Sequence, residues 1–111
     1  MLVRGESDIL SLLVVNTIGD GSELVLLGEV DAFTRDIFAA AIDHLLTQRG
    51  DLRLHLTGLS FIDVGGAAIL ATRAFSLPPG RRLILRNPPP ELRRLLELLW
   101  ADHANLEMEH R

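Results

Sequence analysis

Four residues, Asp63-Val64-Gly65-Gly66, constrain most strongly how this chain can fold. They follow the apolar run that ends in Phe61-Ile62 and precede a stretch with helical spacing, so a buried strand ends and a helix begins across them. Aspartate is a leading helix cap, because its carboxylate accepts a backbone N–H that the first helical turn leaves unpaired. Two glycines after it let another backbone approach closely.

The segments on either side extend this β-to-α unit. Residues 9–17 are rich in Leu and Val and read as a strand. Gly19-Asp20-Gly21-Ser22 is a turn signal, and residues 23–30 form a second apolar run, so the two strands are expected to pair as an antiparallel hairpin. Asp31 opens a helical pattern over residues 32–48, with Phe33, Ile37, Phe38, Ala41, Ile42 and Leu45 on one stripe and Gly50 as the stop. Leu52, Leu54 and Leu56 alternate with Arg53, His55 and Thr57. That alternation gives a strand with one buried and one wetter face, and it favours helices covering mainly one side of the sheet.

Residues 65–77 form the second predicted helix, ended by Pro78-Pro79-Gly80. Leu83-Ile84-Leu85 is a short strand, and Asn87-Pro88-Pro89-Pro90 opens a third helix with Leu92, Leu95, Leu96 and Leu99 on its core face. Leu98 and Trp100 leave that stripe, and Trp100 suits a partly buried lid on the sheet end. Residues 105–109 read as a last edge strand. The order is β-β-α-β-α-β-α-β with successive right-handed crossovers. This is an α/β fold in one domain spanning residues 1–111: a mixed sheet of four or five strands, an opening antiparallel hairpin, then parallel βα units with about three helices mainly on one face.

Composition removes several function classes. At 111 residues and 48% hydrophobic content, the chain can build one core. The net charge of -4 is spread through the chain, and no basic patch interleaved with aromatics is present, so nucleic acid is not an expected partner. Cysteine is absent, which excludes disulfides, thiol nucleophiles and thiolate metal sites. Neither a signal-peptide core nor a run long enough to span a membrane is found, so a cytoplasmic location is expected. His44, His55, His103 and His110 lack zinc-motif spacing, and the serines lack a nucleophile elbow. No phosphate cradle, cofactor or metal is expected, and no catalytic residue is assigned.

Candidate binding residues cluster around the opening tetrad. Asp63 caps the second helix through the Gly65 or Gly66 N–H; an anion at that N-terminus would be opposed by Asp63 itself. Asp31 has two readings that use the same residue type, a cap near Thr34 or a contact to a partner. On the second helix, Ala67, Leu70, Ala71, Ala74 and Phe75 share the core face, with Ile69 opposite. Ile69 is either an isolated surface residue or part of a small apolar patch with Val64 and Arg73, the composition of a protein-binding site.

Gly28-Glu29-Val30-Asp31 with Thr34, and Leu59-Ser60-Phe61-Ile62-Asp63 with Gly66, together resemble the STAS domain family of sulfate-transporter domains and bacterial anti-sigma-factor antagonists. The likeness extends over residues 9–106. It implies a mixed sheet with helices mostly on one side and a non-enzymatic role in binding a kinase-like anti-sigma factor. In that family the loop commonly reads Asp-Ser-Ser-Gly, and its first serine is the regulatory phosphorylation site. Val64 and Gly65 stand at the two serine positions here, so the resemblance implies partner binding without the phospho-switch. It equally accommodates a cytoplasmic accessory subunit of a membrane transporter, for lipid or anion.

Overall fold

The structure is a computed structural model, and it describes residues 2–4, 12–100 and 105–109. Six strands form one sheet in chain order: β1 (Leu2–Arg4), β2 (Leu12–Ile18), β3 (Glu23–Val30), β4 (Leu52–Ile62), β5 (Leu83–Arg86) and β6 (Leu106–Glu109). The first two pairings are antiparallel and the next three parallel. Helices α1 (Arg35–Leu45), α2 (Val64–Phe75) and α3 (Pro90–Leu99) make the three parallel crossovers. The opening strand β1 is additional to the expected set, and the part of the first expected strand before Leu12 lies outside the described residues. No described helix is long and apolar enough to cross a membrane.

The hairpin forms where the turn signal stands. Gly19 and Gly21 take φ of 63° and 98°, a region that side chains disfavour. The Asp20 carboxylate accepts from the Ser22 N–H at 3.0 Å and its hydroxyl at 2.7 Å, which closes the loop. Leu24, Leu26 and Val30 of β3 then join Leu52, Leu54 and Leu56 of β4 beneath the helices. Phe38, Ile42 and Leu45 of α1, Leu70 of α2 and Leu92 and Leu96 of α3 fill the same layer. The helices pack on one another in chain order along that face.

The wetter face of the sheet is tied by charge. Arg82 bridges Asp51 at 2.6 Å and Glu107, while Arg86 reaches Glu109 at 3.2 Å and His55 meets Glu23 at 2.6 Å. The hydrogen bond from Arg82 holds the Asp51 carboxyl below its ordinary value of 3.8. A depressed carboxyl stabilises the fold above its unfolded pKa, and that contribution disappears as pH falls through the folded value. Asp51→Asn is therefore expected to flatten the acid limb of the stability profile below about pH 4 and to leave its alkaline limb unchanged. A pH titration of the urea midpoint checks this.

Four helix boundaries and four core assignments differ from the sequence expectation. Helix α1 starts three residues late because the Thr34 hydroxyl donates to the Glu29 carbonyl at 2.8 Å and accepts the Asp31 N–H at 3.1 Å. Residues 32–34 become a turn, Thr34 is fully buried, and Phe33 is left 49% exposed instead of in the core. At the other end residues 46–48 form tight turns rather than α-helix. Helix α2 runs from Val64 to Phe75, one residue early and two short. Phe75 and Leu99 were expected in the core, yet each ends its helix 56% exposed. Ile69, expected on the far side of α2, is half-buried against the core. Trp100 is partly buried against that core and Leu98 is exposed.

Candidate functional site

A helix that crosses between parallel neighbouring strands starts at their C-terminal ends. The loops after Val30, Ile62 and Arg86 therefore share one end of the sheet. There the Asp63 N–H donates to the Val30 carbonyl at 3.0 Å, joining the Asp31 loop to the Asp63 loop.

Asp63 caps α2 as expected. One carboxylate oxygen accepts the Gly66 N–H at 2.9 Å, and its backbone carbonyl accepts the Ala67 N–H at 3.0 Å. The other carboxylate oxygen accepts from Arg35 Nη2 at 2.6 Å. Arg35, the first residue of α1, was not singled out from the sequence. A cation is disfavoured at a helix N-terminus, and the Asp63 carboxylate compensates it. The two glycines now have separate reasons. A Cβ at Gly65 would stand 2.6 Å from Cζ and Nε of Arg35, so glycine leaves the space that the guanidinium occupies. A Cβ at Gly66 would stand 2.6 Å from Ile62 Cγ1 and 2.8 Å from Val30 Cγ1, so glycine lets α2 sit directly on the two strand ends.

Asp63→Ala removes the cap and leaves Arg35 without its carboxylate. We expect a stability loss of about 1–2 kcal/mol, read as a lowered urea midpoint. Asp63→Asn should recover part of it, because the amide oxygen still accepts the Gly66 N–H. Equal losses for the two variants would show that the cap contributes nothing.

The other singled-out residues are not all brought together. Val64 is 55% exposed at the first residue of α2. Asp31 lies in the loop that the Val30 carbonyl joins to Asp63, its carboxylate accepting the Phe33 N–H at 2.9 Å. Arg73 instead reaches Asp43 of α1 at 2.8 Å, which places position 73 on the flank of α2 that faces α1. At about 100° per residue, Val64 lies roughly 140° around the helix from Ile69 and roughly 180° from Arg73. The patch of Val64, Ile69 and Arg73 therefore does not form as one surface. The large apolar residues exposed at the shared end are Val64, Phe33 and Phe61, of which only Val64 was a candidate binding residue from sequence. Helical and strand periodicity had placed Phe33 and Phe61 inside elements, so no sequence signal marked them.

Two crevices open among the described residues bear on the site. One, of about 310 Å³, lies between β2, β3 and α1 and includes Val15, Leu24 and His44. The other, of about 260 Å³, is at the signature-loop end and is lined by Ser60, Phe61, Ile62, Pro89 and Glu91. Among the described residues, no group of three or more His, Cys, Asp or Glu is placed to hold a metal. His103 and His110 lie outside those residues.

The family model described as "Mlab, STAS domain" matches residues 14–108. The chain belongs to this STAS family. Among solved structures it is similar to the anti-sigma factor antagonist SpoIIAA in its unphosphorylated form, at 22% identity over 87% of this chain and 86% of that one, with a TM-score of 0.63. It is also similar to an anti-sigma factor antagonist from Mycobacterium paratuberculosis, at 23% identity over 86% and 85% of the two chains, with a TM-score of 0.64. No curated protein matches the chain in a sequence search. At these identities the structural likeness establishes the fold, a mixed sheet with an antiparallel opening and parallel βα units under three helices.

Proposed function

We propose that this chain is a non-enzymatic, protein-binding regulator of the antagonist type, working in the cytoplasm on a kinase-like anti-sigma factor without phosphorylation of its loop. The observation that carries the reading is the surface at the start of α2. Val64 opens α2 directly after Asp63, whose carboxylate is held by the Gly66 N–H and by Arg35, and the Asp31 loop is joined to Asp63 through the Val30 carbonyl. An exposed apolar side chain on a fixed backbone, rimmed by carboxylates, suits docking to a protein. Family membership and the fold of the two antagonists support the same assignment. The loop offers no hydroxyl between Asp63 and Ala67, and the nearby Ser60 hydroxyl donates to the Gly28 carbonyl at 3.1 Å. Incubation with ATP and a family kinase is expected to leave the peptide around residues 63–67 unmodified by mass spectrometry. Stoichiometric phosphate on Ser60 would overturn the phosphorylation-independent reading.

The transporter-subunit reading stands beside it, because the matched family model carries the name Mlab rather than that of an antagonist. Affinity capture from native lysate separates the two. The antagonist reading expects a soluble kinase-like protein retained by wild type and lost with Val64→Asp. Retention of a membrane complex instead would establish the transporter subunit.

A further inference from the structure

The crevice beside the signature loop has a composition that neither the cap nor the Val64 surface uses. Its wall on the β4 side is Phe61, 48% exposed, followed by the nearly buried Ile62. The opposite wall is Pro89 and Glu91, at the entry and first turn of α3. Ser60 closes it; its hydroxyl proton is given to the Gly28 carbonyl, which leaves the oxygen able to accept. Glu91 takes part in no ion pair among the described residues, and neither does Glu29, the register partner of Phe61 on β3. This contrasts with the wetter face of the sheet, where His55, Arg82 and Arg86 each meet an acid. No basic side chain lines the crevice.

We propose that this crevice receives an arginine side chain presented by the partner protein, with the guanidinium stacked on the Phe61 ring and donating to the Glu91 carboxylate. A flat cation satisfies both walls at once. The ring face attracts it through its quadrupole, and the carboxylate accepts two parallel N–H bonds. Lysine can do the second only as a point charge and stacks less well. The Ser60 oxygen supplies a further acceptor in the lining. The volume of about 260 Å³ accommodates one extended side chain. This inference rests on the protein-binding reading and specifies what its partner must carry at one contact.

The test uses the full chain and the probe N-acetyl-arginine amide, followed by amide and aromatic NMR shifts. The neutral isostere N-acetyl-citrulline amide and N-acetyl-lysine amide are the comparison probes. The arginine amide is expected to move Phe61, Ile62 and Glu91 saturably, with an affinity on the order of millimolar. Lysine amide should bind at least about threefold more weakly, and citrulline amide should move nothing. Glu91→Gln and Phe61→Leu, both at exposed positions, should each weaken arginine amide about fivefold or more, while Glu97→Gln further along α3 stays within about twofold. An undisturbed amide spectrum in each variant controls for folding. Citrulline binding as well as arginine, or unchanged binding in Glu91→Gln, would overturn the proposal. The probe carries no partner protein, so failure here removes the arginine pocket and leaves the Val64 surface to its own capture experiment.

Discussion

Val64→Asp is expected to lower affinity for the captured partner by about 3 kcal/mol, on the order of a hundredfold. Val64 is the exposed first residue of α2, and in the proposed complex its side chain would meet the partner's apolar surface. A carboxylate there must lose its water without gaining a cation, because Arg35 is already engaged by Asp63 at 2.6 Å. The resemblance to the STAS family puts a phosphoserine at this position, so the substitution also imitates a charge that the Val64 side chain, without a hydroxyl, cannot carry. Folding should survive. The position faces solvent, and a negative charge in the first helical turn is favoured by the backbone dipole. Titration calorimetry of wild type and variant against the captured protein, with circular dichroism of each, gives the answer. Equal affinities in two folded proteins would place the interface elsewhere.

Gly28→Ala is expected to destabilise the fold by about 3 kcal/mol, from roughly 1–2 for positive φ and roughly 1–3 for the forced backbone shift. Gly28 has φ of 111°, and a Cβ there would stand 2.2 Å from the Leu12 carbonyl oxygen on β2. That neighbour is backbone in a paired strand, so relief requires moving the β2–β3 ladder. The same glycine sits at a register shift between β3 and β4, and its carbonyl accepts the Ser60 hydroxyl. Moving it therefore displaces the strand ends that carry Asp31 and Asp63. Gly19→Ala is the control: φ is 63°, nothing lies within 4 Å, and the loss should be about 1 kcal/mol. Urea unfolding of both variants checks the difference, and equal midpoints would mean that the β2 backbone yields without cost.

The sequence carried the element order, because each signal for it is local. Period-two leucines mark β4, Gly19 and Gly21 supply the positive φ of the hairpin, and Asp63 caps α2 within three residues of itself. Membership of the STAS family followed from two short motifs at the right spacing and agrees with the match over residues 14–108. What periodicity could not resolve lies at element ends. Phe33, Phe75 and Leu99 each continue an apolar stripe, yet each stands just before or at the end of its helix and is about half exposed. The length of a stripe is local, whereas the extent of the surface that buries it is set by the other strands.

The site divides in the same way. Asp63, Val64 and the absent loop hydroxyl were legible residue by residue. Arg35 was not, since its partner is 28 positions away and only the parallel β3–α1–β4 crossover sets the two side by side. Ile69 and Arg73 were grouped with Val64 on proximity along the chain, although helical phase alone turns both away from it; the structure adds that Arg73 is held by Asp43 of α1. The crevice between Phe61 and Glu91 joins residues of β4 and α3 that share no motif. The sequence by itself thus determined the family, the order of elements and the chemistry that the loop lacks, all of which depend on residues within a few positions of one another. The tertiary structure decided which side chains meet at the end of the sheet, because contacts between α1, α2 and α3 exist only once the strands are paired in register.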